Sequence, residues 1–421
     1  MKVLLVGSGG REYTFCHQLV KSPHQPQLFI APGNAGTARF GTNIGVLPTD
    51  FKGLKQAVLA HQIQMVIVGP EVPLVEGMVD FFNADQELAH IPVIGPSKKG
   101  AELEGSKEFA KSFMQRHKIP TAKYKSFTKV SLLEGLAYLE SVTPPYVLKA
   151  DGLAAGKGVV ILNELDDAKA ELIAMLSYSK FGEASQKVVI EEFLDGIELS
   201  CFLLTDGNSY KILPMAKDYK RIGEGDKGLN TGGMGAVSPV PFADEAFVQK
   251  IKEKVVEPTM RGLMYDGIPY VGFIFIGLIK VGDDPKVIEY NVRMGDPETQ
   301  VVLPRIQNDL FELLQATASG TLDRIKLSID KRSVSTIVAV SGGYPESYEK
   351  GKVIRGIDPT DFVVHAGTSI LNGELVTCGG RVLSATGIGF DHNQAIAQSY
   401  QALEKIDFEG MYYRKDIGFD L

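Results

Sequence analysis

The segment Val287-Ile-Glu-Tyr-Asn-Val-Arg-Met-Gly-Asp-Pro-Glu298 gathers more polar chemistry than any other stretch of the chain. Read as a strand of period two, it puts Glu289, Asn291 and Arg293 on one face and Ile288, Tyr290 and Val292 on the other. A carboxylate beside an amide oxygen is a hard ligand pair suited to magnesium, an ion that keeps several waters and takes its other oxygens from substrate phosphates. Arg293 then neutralises an anion beyond the metal. A second cationic centre lies in Lys149-Ala-Asp-Gly-Leu-Ala-Ala-Gly-Lys-Gly158. It is not a P-loop, because Gly152 and Gly156 are one position too close, Gly158 replaces the hydroxyl residue that would hold magnesium, and Val159 to Leu162 reads as strand. A glycine hairpin over phosphates fits better, with Lys149 reaching inward from a strand and Lys157 on the tip.

Other segments supply the rest of a nucleotide site. Lys187 to Leu194 ends as a strand in Glu191, Glu192, Phe193 and Leu194, which can offer backbone hydrogen bonds and an apolar wall to a purine, and Glu198 can accept ribose hydroxyls. At the N-terminus, Gly7-Ser-Gly-Gly10 follows a strand and opens a helix, but Glu12 stands where a dinucleotide fingerprint needs glycine. The second strand ends Ala31-Pro32-Gly33 without the acid that would hold an adenosine ribose. NAD is therefore not expected, and the amides of Gly9 and Gly10 are expected to cradle a phosphate monoester. Asp218-Tyr-Lys-Arg221 leads into a glycine-laden loop, Gly223 to Gly235, read as a lid that would exclude water.

These residues must be positioned by several domains. The chain has 421 residues, which at roughly 100 to 200 residues per domain implies two to four. Hydrophobic residues are 44% and charged residues 23%, so a folded globular protein is expected rather than disorder. A net charge of -7 is the wrong sign for a chain that coats nucleic acid. Three scattered cysteines (Cys16, Cys201, Cys378) argue against a disulfide framework, and histidines without an i, i+4 pair argue against a histidine-built metal site. The apolar run at the N-terminus is too brief for a signal peptide and no stretch is long enough to span a bilayer, so a cytoplasmic protein is expected.

Short apolar runs at Lys2 to Val6, Leu28 to Ile30, Met65 to Val68 and Pro92 to Ile94 alternate with amphipathic stretches. That is the pattern of a doubly wound parallel α/β sheet, with loops at Gly7, Ala31, Gly69 and Gly95 converging at its carboxyl edge. A middle block mixes helices with the strands Tyr146 to Ala150, Val159 to Leu162, Lys187 to Glu192, Glu198 to Leu204, Tyr270 to Lys280 and Lys286 to Val292. A smaller α+β module follows from about Leu327, with strands Val334 to Val340, Asp361 to His365 and Gly379 to Thr386 and a helix Asn393 to Ile406.

Taken in order, Gly7-Ser-Gly-Gly-Arg-Glu12, Ala31-Pro-Gly-Asn-Ala-Gly36, Val68-Gly-Pro-Glu71, Leu103-Glu-Gly-Ser-Lys107, Lys149 to Gly158, Asn230-Thr-Gly-Gly-Met-Gly-Ala236, Gly295-Asp-Pro-Glu-Thr-Gln300 and Tyr413-Arg-Lys-Asp-Ile-Gly418 closely resemble the glycinamide ribonucleotide synthetase family of ATP-grasp ligases. The resemblance spans essentially the whole chain. It implies an N-terminal phosphoribosyl-binding domain over 1–104, an ATP-grasp domain over 105–326 with a lid subdomain at 120–190, and a C-terminal α+β domain over 327–421. It implies ATP and magnesium (or manganese) as cofactors, and glycine and 5-phosphoribosylamine as substrates. Lys107, Lys149 and Lys157 would contact ATP phosphates; Glu191, Phe193 and Leu194 would frame adenine; Glu198 would hold ribose; Glu289 and Asn291 would bind the metal. Gly9, Gly10, Arg11, Glu12, Asn34, Glu71, Asp218, Lys220, Arg293 and Asp296 would line the substrate site, and Lys149 and Arg293 would assist the chemistry.

In the family's reaction glycine's carboxylate attacks the γ-phosphate, and the sugar amine then displaces phosphate from glycyl phosphate. Such chemistry needs positioning and charge neutralisation, and no covalent enzyme intermediate. A monomer or weak dimer is expected, with neither nucleic acid nor membrane as partner. Tyr13, Tyr219, Leu229 and Met294 depart from the usual His, His, Pro and Phe of the family; Tyr13 and Tyr219 receive no role. Another ATP-grasp ligase or carboxylase of purine metabolism is the nearest alternative, and it would lack the Gly295 to Gln300 motif. An NAD oxidoreductase or a non-catalytic nucleotide sensor are the competitors from other classes.

Overall fold

The structure is a computed structural model and describes residues 1–154 and 158–421. Its N-terminal sheet is built on the strand Lys2–Gly7, flanked by Gln27–Pro32 and Met65–Val68, with Gly41–Asn43 and Val93–Pro96 outside them, all parallel. The apolar runs are continuous because both faces are covered. Leu4 and Val6 point into one core and Val3 and Leu5 into the other. Helix Gly10–Leu19 packs Phe15, Cys16 and Leu19 on the second face, while helix Phe51–His61 packs Leu54 and Val58 on the first.

The sheet does not end where the parallel pattern ends. Val93–Pro96 pairs antiparallel with the start of Tyr270–Val281, which runs on between Ile197–Thr205 and Asp284–Asn291, so nine strands form one surface. Gly272 makes the crossing possible: its φ is +132°, and a Cβ there would lie 3.0 Å from the amide nitrogen of Gly95. The loops of the first hundred residues and the polar strand Asp284–Asn291 are thereby fixed on one continuous sheet.

A separate four-stranded sheet, ordered Tyr124–Thr128, Lys187–Glu192, Tyr146–Ala150, Val159–Leu162, packs helices Leu132–Ser141 and Leu165–Tyr178 around Phe127, Leu139, Leu148, Leu172 and Ile190. A third sheet takes Lys217–Asp218 and Gly235–Ser238 from the middle of the chain and joins them to Ser333–Val340, Arg381–Gly389 and Phe362–His365, with helix His392–Leu403 against it. The segment from Gly223 to Gly235, expected as a glycine-laden loop, is partly regular. Arg221–Gly223 and Lys227–Asn230 form a hairpin turning through Gly225 and Asp226, and Gly235 begins the next strand. A further hairpin, Thr368–Leu371 with Glu374–Thr377, turns on Asn372 and Gly373, both at positive φ, the turn chemistry that this dipeptide favours. Among the described residues no helix is long and apolar enough to cross a membrane.

Candidate functional site

Lys149 lies in the buried strand Tyr146–Ala150, and its ammonium reaches the neighbouring strand rather than solvent. There it meets Glu191 Oε2 at 3.1 Å, and Lys111, from helix Lys107–Arg116, meets the same oxygen at 2.9 Å. All three side chains are almost fully buried. Burial pulls the Lys111 ammonium down to about 8 in spite of Glu191. For Glu191 burial pushes upward, but the two lysines outweigh it and hold the carboxyl below its ordinary value. The Glu191 side chain gives one oxygen to the lysines and keeps Oε1 buried without a partner among the described residues, and its backbone remains on the strand end expected to border a base. Phe193 is exposed and Leu194 half-buried at the end of the same segment.

Lys107 opens its helix at an N-cap formed by Ser106, whose hydroxyl also donates to Asp151. The Asp151 carboxylate accepts the Glu108 amide at 2.8 Å, so the glycine segment is tied at its base to the helix start. Lys107 Nζ donates to the Gly152 carbonyl at 3.2 Å. Burial lowers its pKa, against the pull of Glu289. Lys157 lies outside the described residues.

Glu289 and Asn291 end the strand Asp284–Asn291. A bulge at Ile288 pairs Gly277 with Glu289 and Leu278 with Val287, which resets the alternation. Val287, Tyr290 and Val292 therefore occupy the core, and Ile288 does not join them as strict period two required. Neither Glu289 nor the Asn291 amide has a hydrogen-bond partner among the described residues, and the amide nitrogen of Asn291 is buried and unpaired. The Glu289 carboxylate and the Asn291 amide oxygen, two residues apart at the strand end, are hard oxygen donors of the kind a magnesium ion takes. The charge of Glu289 is felt by Lys107, Lys220, Asp218, Arg293 and Glu104, which places it at the centre of the recess. The compact group His24, Asp309 and Glu312 lies on the surface and includes neither candidate metal ligand.

Arg293 lies past the end of the strand, so it does not share a strand face with Glu289 and Asn291. Its guanidinium bonds Glu71 at 3.2 Å and Glu104 at 2.8 Å. The free cation expected there is already matched by two carboxylates. Glu104, which the sequence reading did not single out, also accepts the Val292 amide at 2.7 Å. Burial, with Glu71 and Glu289 nearby, raises it to about 7 against the pull of Arg293.

Beside this lies a mixed-charge cluster. Lys220 bonds Glu198 at 2.6 Å, and Asp218, Glu298 and Glu289 surround them. Glu198, expected to hold ribose, is engaged with Lys220; that pull, stronger than burial, holds its carboxyl below the ordinary value. Burial raises Asp218, and burial with Asp218 close by raises Glu298 to about 7. Burial disfavours the Lys220 ammonium, but Asp218, Glu198 and Glu289 prevail and push it well above its ordinary value.

The N-terminal loops correct one expectation directly. The Gly9 amide donates to Glu12 Oε2 at 2.6 Å, and Cβ atoms added at Gly7, Gly9 or Gly69 would all collide with or crowd the Glu12 carboxylate. The glycine nest is filled by an internal anion, so the Gly9 amide is not free for a phosphate. Arg11 is held by Glu12 at 2.7 Å and by the Met294 carbonyl at 3.1 Å. A Cβ at Gly10 would lie 2.5 Å from Gln300 Nε2 and 3.4 Å from Asp296 Oδ1, facing protein and not the approach of a ligand. Asp296 accepts from Gln300 at 2.9 Å and from the Arg11 amide at 3.4 Å. Burial pushes its carboxyl up, but Arg381 and Arg11 outweigh it and leave a net lowering. Asn34 spends its side chain on Ser8 and His365 carbonyls and on the amides of Gly36 and Thr37, joining the N-terminal loops to the third sheet.

Charge contacts thus run without a break from Lys149 and Lys107 through Glu289 to Lys220 and Asp218, and on through Arg293, Glu71 and Arg11 to Asp296. Lys111, Glu104, Glu298 and Arg381 belong to this system and were missed. Only Glu104 and Glu298 lay inside quoted motifs, and nothing in spacing alone distinguishes them. Tyr219 is buried, donates to Asp420 at 2.9 Å and stacks near Arg414; Tyr13 stacks on His365.

Three family models match the chain: the phosphoribosylglycinamide synthetase N domain over residues 1–104, its ATP-grasp (A) domain over 105–299 and its C domain over 334–420. The chain is 45% identical over 430 residues to a phosphoribosylamine-glycine ligase of Pseudomonas aeruginosa, covering 100% of this chain and 98% of that one. It is 44% identical over 427 residues to a bifunctional purine biosynthetic protein of Pichia angusta, covering 99% of this chain and 53% of that longer protein. The crystal structure of a phosphoribosylamine-glycine ligase from Thermotoga maritima aligns with a TM-score of 0.86 at 34% identity, covering 99% of this chain and 100% of that one.

Proposed function

This chain belongs to the phosphoribosylglycinamide synthetase family, and from that premise we infer how its residues carry out the ligation of glycine to 5-phosphoribosylamine at the expense of ATP. The reaction opens with attack of a glycine carboxylate oxygen on the γ-phosphorus, releasing ADP and leaving glycyl phosphate. The sugar amine then attacks the glycyl carbonyl, phosphate leaves, the nitrogen gives up a proton and glycinamide ribonucleotide is formed.

Lys107 and Lys149 hold the ATP phosphates, with Lys149 fixed in place by Glu191, and Lys157 is assigned the same task. The backbone of Glu191 with Phe193 and Leu194 borders the base, and Glu198 lies where the ribose would sit. Glu289 and Asn291 hold magnesium or manganese, which when bound supplies positive charge to the phosphate oxygens. Glycine is a zwitterion, and the recess offers both signs: Asp218 and Glu298 for its ammonium, Lys220 for its carboxylate. Arg293, locked between Glu71 and Glu104, gives a rigid wall between the glycine and sugar sites. Arg11, Glu12, Asn34 and Asp296, with the loops at Gly9 and Gly10, shape the sugar-phosphate side. Preorganised charge is the main catalytic resource of such a site.

We assign the sugar-phosphate site to residues 1–104, the ATP-grasp unit to 105–326 with 120–190 as its lid subdomain, and the covering module to 327–421; the protein works in the cytoplasm on small molecules. The observation that carries the reading is the convergence of Lys107, Lys220 and Asp218 on the uncommitted Glu289. The test is ADP release measured with ATP and magnesium while glycine and phosphoribosylamine are added separately and together. Release that needs both supports the reading, and release indifferent to glycine overturns it.

A further inference from the structure

The motif Tyr413-Arg-Lys-Asp-Ile-Gly418 has no part in the chemistry above, yet Arg414 is among the largest fully buried side chains of the described residues. A buried guanidinium is tolerable only when its donors are satisfied. Arg414 Nε and Nη2 bond the two oxygens of Asp416, each at 2.8 Å, and Nη1 bonds Asp226 Oδ1 at 2.6 Å and the Arg221 carbonyl at 3.2 Å. Its Cζ lies 5.4 Å from the centre of the Tyr219 ring and 5.9 Å from that of Phe419.

Two of those contacts are with the hairpin formed by Arg221–Gly223 and Lys227–Asn230. This hairpin buries little beyond Ile222, which packs against the core of the third sheet: residues 224–229 are all exposed, and its ladder is interrupted by an irregularity between Arg221 and Gly223. A two-stranded hairpin of that kind is marginal by itself. It is held from outside, by Arg414 at Asp226, by Asp416 accepting the Gly225 amide at 2.7 Å, and by the Tyr412 hydroxyl donating to the Ile222 carbonyl at 2.9 Å. The base of the hairpin closes on the substrate recess, because Thr231 donates to the Lys220 carbonyl through both its amide and its hydroxyl, each at 2.8 Å. The remaining Arg414 contact, Tyr219, is the residue between Asp218 and Lys220.

We propose that Arg414 is a positioning residue for the ligation: from the C-terminal segment it clamps the 221–230 hairpin and Tyr219, and so sets where Asp218 and Lys220 stand in the substrate recess. The inference rests on the proposed roles of those two residues in glycine binding, and the experiment separates the two claims. Asp226→Ala removes the hairpin end of the clamp at an exposed side chain, and Arg414→Lys removes the fork while keeping the charge. Hydrogen exchange of the hairpin amides should become about tenfold faster or more in either variant, the factor that one charge-assisted hydrogen bond is worth. The KM for glycine should rise by a similar factor while the Kd for ATP, titrated directly, stays within about twofold of wild type. A simple loss of folding stability would not separate the two ligands in this way. Hairpin exchange as slow as in wild type would overturn the clamp, and so would equal losses of ATP and glycine affinity. If the unaltered protein releases no ADP in response to glycine, the proposed reaction fails, and the exchange measurement still decides the clamp.

Discussion

Replacing Glu191 by Gln removes the charge of a carboxylate that Lys111 and Lys149 share, in a place where neither ammonium can turn to water instead. Lys111 falls from 10.5 to about 8 on burial even with Glu191 present. Keeping it charged at neutral pH therefore already costs about 3 kcal/mol relative to the unfolded chain, and giving up the proton entirely would cost about 5 kcal/mol. The lysine can escape by that route, so through Lys111 the variant loses only about 1.4 kcal/mol more, the one unit between a folded value of about 8 and pH 7. Breaking a buried pair from one side usually costs about 3 to 5 kcal/mol. With Lys149 also stripped of its partner, we expect a total near the low end, about 3 kcal/mol.

The sign with pH is distinctive. A lysine depressed in the folded state binds fewer protons there than in the unfolded chain, so stability rises with pH through the window from the folded value to 10.5. In Glu191→Gln that window opens below the wild-type value of about 8. The gap between wild type and variant should thus be widest near pH 6 and narrow near pH 9. Urea unfolding at the two pH values measures it. A gap that is constant, or larger at pH 9, would refute the shared-carboxylate reasoning.

Glu289→Ala and Asn291→Ala should raise the magnesium needed for half-maximal turnover by at least about 10 to 100-fold and weaken manganese binding followed by its paramagnetic signal, with little change in thermal melting; normal turnover at low magnesium would count against the metal assignment. Gly10→Ala should destabilise the fold by about 1 to 3 kcal/mol through Gln300, and adding Gln300→Ala should recover part of that loss; a loss untouched by the second change would place the clash elsewhere. Glu104 and Glu298 are both raised by burial from 4.5 to about 7, so the folded chain holds protons that the unfolded chain has released. Their contribution to stability is full below 4.5 and is lost as pH rises through 7, by up to about 3 kcal/mol each. His17 and His365, both lowered by burial to about 4, tilt stability the other way over part of this range, so the test is the difference: Glu104→Gln should lose up to about 3 kcal/mol less than wild type between pH 5 and 7, and an unchanged slope would contradict the assignment.

What could be read from the sequence was what depends on near neighbours. The runs Lys2 to Val6 and Met65 to Val68 announce buried parallel strands, and the position of Lys149 within an apolar strand announces an inward ammonium. The adjacency of Glu289 and Asn291 depends only on strand period near the strand end. The bulge at Ile288, one residue before Glu289, was invisible because it answers to pairing with Gly277 on another strand. Glu104 meets Arg293 across 189 positions of sequence, and Arg414 meets Asp226 across 188. No local period encodes such contacts. Glu12 was read correctly as the residue that breaks a dinucleotide fingerprint, but not as the anion that replaces the phosphate in the glycine nest. The hairpin at Asn372 and Gly373 was legible and overlooked, since that dipeptide is itself a turn signal.

The central claim is that glycine's carboxylate takes the γ-phosphoryl group from ATP before the sugar amine displaces it. Glycine labelled with heavy oxygen in its carboxylate tests this directly, with the released phosphate analysed by mass after turnover with ATP, magnesium and phosphoribosylamine. Transfer through glycyl phosphate predicts one labelled oxygen in each phosphate formed with the product. Phosphate carrying no label, formed at the rate of glycinamide ribonucleotide, would contradict it.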